Sequence, residues 1–310
     1  MIETVIAALL PIVVTLFLGF FAGWHHDFDA KQGAVLNRMV MLYALPLALF
    51  AGMMGLNRSQ LLQDVPMATL LFVGMVGGYF LVLVLSRYVF RRSLKEAALQ
   101  ALAIAGPAVP FVGVPVLGFL YGDLSSLPIA LCSLIMNLVQ VPITLFILAR
   151  GTEEAGAPPV SILANIRNTL AEPVVWAPVL AFLMLLVDLH VPADIRSSMQ
   201  LLGSATGGVA LFASGVILFS YHVVLNKTVL INVLAKNIVV PLIVLVVAVL
   251  FGVRGDAETI SVITMAIPSA SVCVIFAVQY KTAEQEMAST LFLSTVLSIV
   301  TMSAFLFYLH

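Results

Sequence analysis

The sequence predicts an all-α polytopic membrane protein of ten transmembrane helices, arranged as two inverted five-helix repeats with helices four and nine broken. Three observations predict it. Of the 310 residues, 62% are hydrophobic and 9% charged, with a mean hydropathy of +1.15; a soluble domain is about one-quarter charged. The apolar residues gather into ten runs of spanning length. Runs four and nine, five apart in order, carry proline at matching places near their centres.

The runs cover about 4–24, 35–55, 66–88, 97–119, 126–149, 173–190, 199–221, 229–252, 259–280 and 286–308. They are too long and too uniformly apolar for barrel strands, which leaves helices as the way to satisfy the backbone in hydrocarbon. Glu3 stands where a signal peptide would be basic, and the first run reaches Trp24 without a small-residue cleavage site, so it reads as a span. Cys132 and Cys273 lie in apolar runs and read as free buried thiols. A net charge of −1 speaks against nucleic acid as a partner.

The connections are short except for 150–172, "RGTEEAGAPPVSILANIRNTLAE". Its Gly-Ala-Pro-Pro piece reads as a linker, and "VSILANIRNTL" as an amphipathic segment at the interface. The chain thus divides into a first repeat, 1–149, a cytoplasmic linker, 150–172, and a second repeat, 173–310. With the N-terminus outside, Lys31, Arg38, Arg87, Arg91, Arg92, Lys95, Arg150, Arg167, Lys227 and Lys281 face the cytoplasm, against Arg58, Arg196 and Arg254 outside. That bias predicts both termini outside and the 150–172 linker inside.

Five spans per half make the second half enter the membrane from the opposite side. Weak internal similarity agrees: "LPLALFAG" (45–52) matches "GVALFASG" (208–215), and "IAGPAVPFVGVP" (104–115) matches "MAIPSASVCVIF" (265–276). Pro107 and Pro268 fall at equivalent places. Proline removes a backbone donor and disrupts the preceding turn, so each of these spans is expected to break there. Paired breaks in inverted halves point to a transporter binding site. Each second half-helix begins with unpaired N–H groups and a positive dipole end, and two such ends meeting at the midplane form an anion site without a charged side chain.

At these residues the chain also resembles the auxin efflux carrier family, and within it the bacterial malonate-carrier type. The resemblance rests on "FVGVPVLGFLYGD" (111–123), "NLVQVP" (137–142), "FAVQY" (276–280) and "STVLSIVT" (294–301), and runs the length of the chain in order. It implies crossing of spans four and nine. It also implies a scaffold domain from spans 1, 2, 6 and 7 that supports a homodimer, and a transport domain from spans 3–5 and 8–10. Plant members carry an amide after each crossover proline; this chain has Ala108 and Ser269. Backbone N–H groups and hydroxyls are then the donors, and the smaller site suits a small carboxylate such as malonate.

The expected substrate site therefore comprises Pro107, Ala108, Val109 and Pro110 at the first break, and Pro268, Ser269, Ala270 and Ser271 at the second. Asn137 and Gln140, three apart and expected on one face of span five, join it. Ser204, Thr206 and Ser214 accompany glycines in span seven and read as small-residue packing. Lys236 is the one basic residue well inside a span. Two readings stand for it: an ammonium that snorkels to the interface, or a counter-charge for an anionic substrate.

The function expected is alternating-access transport of a small organic anion, with no cofactor and no metal. A channel shares the need for a polar path but not for matched half-helices. An intramembrane enzyme would need clustered catalytic groups at one depth. His25, His26, His190, His222 and His310 all lie near span ends, and neither HExxH nor GxSxG occurs.

Overall fold

Local chemistry sets where the helices begin. Asp29 caps the N-terminus of its helix through Gln32 in a reciprocal capping box, and Ser93 does the same with Glu96. Asn226 accepts from the Val229 N–H. Gly255, at φ +73°, turns the chain into a helix whose first turn carries Asp256 and Glu258.

The computed structural model describes residues 2–55, 65–149, 167, 170–221 and 223–309. The chain is all-helical there, with no strand among the described residues. In order, the helices are α1 (Ile2–Trp24), α2 (Ala30–Met53), α3 (Val65–Val89), α4 (Leu94–Ala105), α5 (Val114–Tyr121), α6 (Leu127–Ala149), α7 (Pro173–Leu186), α8 (Ala193–Gly203), α9 (Ala205–Tyr221), α10 (Lys227–Leu250), α11 (Asp256–Ala266), α12 (Val272–Gln279) and α13 (Glu284–Leu309). Among the described residues, α2, α3, α6, α8 with α9, α10 and α13 give six helices long and apolar enough to cross a membrane. The predicted spans at 97–119 and 259–280 are two helices each, interrupted where Pro107 and Pro268 stand: α4 and α5, then α11 and α12. The predicted linker, 150–172, lies outside the described residues except at 167 and 170–172.

The core sits around these two interruptions. Every residue from Ala97 to Val109 and from Ile260 to Ala277 is buried. On one flank α1 packs against α9 at backbone contact: a Cβ on Gly19 would meet the Phe212 carbonyl, and one on Gly215 the Leu16 carbonyl. Gly203 likewise sits against Ala48, where an added Cβ would lie 2.9 Å from its Cα. In span seven Gly203 and Gly215 therefore do pack helices together, whereas a Cβ on Gly208 would meet nothing within 4 Å. At the far end of the bundle Arg92 pairs with Glu286 at 3.4 Å and bonds Thr228, while Asn226 donates to Glu286 at 3.0 Å. This cluster joins the starts of α4, α10 and α13. Cys132 and Cys273 are free and buried.

Candidate functional site

Each interruption follows from a residue placed before proline. Gly106 ends α4 in extended backbone, and Ile267 does the same for α11 at φ −56°, ψ 138°, as the ring of the next residue demands. Glycine is required at 106 because a Cβ there would lie 2.5 Å from the Leu102 carbonyl oxygen. The two extended pieces then pair. Pro107 and Ser269 form an antiparallel bridge, in which Ala108 N–H donates to Pro268 O at 2.9 Å and Ala270 N–H to Gly106 O at 3.1 Å. Sequence equivalence sets Pro107 beside Pro268, yet the bridge pairs Pro107 with Ser269, one residue out of register. That slip leaves the Ser269 N–H to donate to Ser294 Oγ at 3.2 Å.

The carbonyl groups released where α4 and α11 stop are taken up by side chains. Ser269 Oγ donates to Ala103 O at 2.8 Å. Gln140 Nε2 donates to Ala105 O at 3.2 Å and to Met75 O at 2.9 Å. Lys236 Nζ donates to Met265 O at 3.1 Å. The donors on the other side are not consumed in the same way. At the start of α12, the N–H groups of Ser271 and Val272 have no acceptor among the described residues.

Those two residues line a cavity of about 610 Å³. Pro107, Ala108 and Val109 form its wall at the first break, with Ala270 beside Ser271 at the second. Asn137 of α6 lines it, is 5% exposed, and has no hydrogen-bond partner for its amide among the described residues. Thr206 of α9 also lines it, and its hydroxyl is buried without a partner among the described residues. The cavity is exposed at Gly52, Gln200 and Ser204 and closed by the buried residues Val141, Val174 and Ile275. None of the described residues around it is charged.

The expected site residues thus separate into two groups. Pro107, Ala108, Val109, Asn137, Ala270 and Ser271 meet at the cavity. Pro268 and Ser269 border a separate void of about 10 Å³ next to Ala108 and Ser271. Gln140 does not share the cavity with Asn137: it is fully buried and spent on backbone carbonyls. The residues 136–140 form a π turn, which winds more residues into each turn, so a spacing of three no longer returns to one face. Lys236 does not snorkel. It is 0% exposed and bonded inside the protein, away from the cavity wall. Pro110 lies in the π turn Val109–Gly113, and its side chain is outside the described set.

Thr206 enters the site although its sequence context reads as helix packing. The clue available was its place, one hydroxyl in a glycine-rich stretch of a span. Ser294 lies in the "STVLSIVT" motif, and its role becomes visible only when α13 is set against the second break.

Comparison with known proteins sets the chain among membrane transporters. A family model described as membrane transport protein matches residues 4–306. The chain belongs to that family. The chain is similar to a protein of Escherichia coli (strain K12) described as uncharacterized transporter YfdV, at 32% identity over 298 residues, covering 96% of this chain and 95% of the relative. The proteins of the same description from Escherichia coli O157:H7 and Shigella flexneri match to the same extent. This member of the family is a multi-pass membrane protein, in keeping with its resemblance to auxin efflux carriers.

Proposed function

We propose that the chain is a secondary transporter that moves a small organic anion across the bacterial inner membrane by alternating access, and not an enzyme or a channel. The observation that carries this reading is the start of α12. Two unpaired N–H groups, at Ser271 and Val272, border a cavity lined by Asn137 and by the unpartnered Thr206 hydroxyl. Buried donors without partners are costly, and a carboxylate supplies what they lack. The dipole of α12 adds about 0.3–1 kcal/mol for an anion at its N-terminus.

In this reading ten membrane helices form two inverted halves. The interrupted pairs α4–α5 and α11–α12 are the crossing spans, held at their centre by the bridge between Pro107 and Ser269. The close contacts of α1 with α9, and of α2 with α8, belong to the scaffold that also carries a homodimer interface. With both termini periplasmic and the 150–172 linker cytoplasmic, the exposed mouth at Gly52, Gln200 and Ser204 opens outward. The closed end at Val141, Val174 and Ile275 then blocks the inward path.

Malonate is one carboxylate of suitable size. The uncharged lining offers one anion-binding end and an apolar remainder, which favours a carboxylate with a single charge. Uptake and counterflow by purified protein in liposomes test the reading. Saturable flux that accelerates when unlabelled substrate is placed on the opposite side supports a carrier. Non-saturable flux would make it a channel, and chemical conversion of the substrate an enzyme. Cysteine-accessibility mapping that places 150–172 outside would overturn the orientation.

A further inference from the structure

Lys236 is wholly buried, yet no carboxylate answers it: it enters no ion pair among the described residues, and its ammonium donates to the Met265 carbonyl. The elements packed against its π turn are α4, α11 and α13. Their ionisable groups, Lys95, Glu96, Asp256, Glu258, Glu284, Glu286 and Tyr308, stand near the ends of those helices, with Glu258 paired to Arg254 and Glu286 to Arg92. Met265, whose carbonyl Lys236 holds, stands just before the second break, whose residues Ala270 and Ser271 line the cavity.

Holding a helix end does not require a charge. At the first break the corresponding work on Ala105 O is done by a neutral amide, Gln140. The adjacent residue Asn237 grips the second break without charge as well. Its Nδ2 donates to Ser294 O at 2.7 Å, and its Oδ1 accepts from Ser294 Oγ at 2.7 Å, the same oxygen that receives the Ser269 N–H. Two neighbours in one turn therefore hold both sides of the interruption: Lys236 at Met265, before it, and Asn237 through Ser294 at Ser269, within it. An unpaired ammonium in that place is a cost that only a second role offsets.

We infer that Lys236 is the proton-binding group that couples anion transport to the proton gradient. The inference rests on the proposed carboxylate site and adds its driving ion. When the cavity holds a carboxylate, Lys236 binds a proton from the same aqueous side, and the ammonium balances the anion. When the anion leaves, the proton leaves with it, Nζ becomes a neutral amine, and the empty carrier reorients without a buried net charge. One proton and one monoanion move together and no charge crosses. A change of protonation also changes the hold on Met265 O, and hence on the break that binds the substrate.

The test uses full-length protein in liposomes with pyruvate as a singly charged probe and malonate as a doubly charged one, and pyranine trapped inside to report protons. For a one-to-one symport, an inside-alkaline gradient of one pH unit accumulates pyruvate about tenfold at equilibrium, the ratio that 1.4 kcal/mol supports. Pyranine should show one proton entering per anion. Lys236→Gln should lose that accumulation and the proton signal, with a smaller loss in counterflow. Lys236→Arg, permanently charged, should exchange but not accumulate. Wild-type net uptake that ignores the gradient while counterflow persists, or full accumulation by Lys236→Gln, would overturn the coupling role alone. Absence of counterflow with both probes would overturn this inference together with the carboxylate site. A structural role for Lys236 predicts instead that Gln lowers all fluxes in proportion and leaves the proton ratio unchanged.

Discussion

The Ala108 N–H donates to the Pro268 carbonyl at 2.9 Å, so the first residue after one proline is tied directly to the other proline. Ala108 is 5% exposed and faces both the main cavity and the small void behind it. Its methyl leaves the space beside the α12 start open. Ala108→Trp should fill that space while its backbone bond remains, lowering carboxylate uptake at least about tenfold, a loss of about 1.4 kcal/mol or more. Uptake in liposomes checks it, with size-exclusion elution as the control for assembly. Normal transport by a well-assembled Trp variant would remove the carboxylate from this place.

An uncharged amide of the same shape as a transported acid should compete poorly. The free N–H groups of Ser271 and Val272 bind an anion through charge-assisted hydrogen bonds, which are about twice as strong as neutral ones. Inhibition constants for matched acid and amide pairs measure this. Equal constants would show that the α12 terminus does not bind the charge.

Among acids, a single charge should be preferred. A second carboxylate would meet no charged group among the described residues around the cavity, and desolvating it without a partner is expensive. Malonate should therefore bind at least about tenfold more weakly than a monocarboxylate of similar volume. Thermal-shift titration of the two reports the order directly.

Ser294→Ala should destabilise the second break. It leaves the Ser269 N–H and the Asn237 Oδ1 without their bonds, at about 1–3 kcal/mol for a buried orphan. The apparent melting temperature should fall, and substrate affinity with it. Ser294→Thr, which keeps the hydroxyl, should recover part of both.

Gly19→Leu tests the opposite flank. A Cβ there meets the Phe212 carbonyl, which belongs to a helix backbone and cannot swing away. Overpacking of this kind costs about 1–3 kcal/mol. The expected result is a lower melting temperature and less folded protein, with the substrate affinity of the surviving fraction unchanged.

The two breaks were legible because proline acts locally: it dictates the backbone before it whatever surrounds it, and Pro107 and Pro268 each interrupt a helix. Most of the apolar runs were legible for the same reason, since hydropathy is additive along the chain. Direction around a helix was less so. Asn137 and Gln140 were expected together, but the π turn at 136–140 sends one to the cavity and the other to the carbonyls of Met75 and Ala105. Lys236 was given a path outward or the role of counter-charge to the anion, and its own π turn at 235–239 turns it inward to Met265, which excludes the first. Thr206 was invisible as a site residue because the cavity is made by α2, α6 and α9 closing over the breaks, a relation that no single segment encodes.

The helix α7 holds only 14 residues, about 21 Å of rise, against a hydrocarbon core about 30 Å thick. Trp176, Leu180, Leu183 and Leu186 stand exposed along it, so lipid tails lie against this short rod. Where the bilayer meets so short a span by thinning, a dimple forms beside it, and each ångström of mismatch carries an elastic cost. Because α7 also packs on α2, beside the cavity mouth, acyl-chain length becomes a tuning variable for the carrier: thin membranes relax the dimple, and thick ones pull on the wall through which substrate enters.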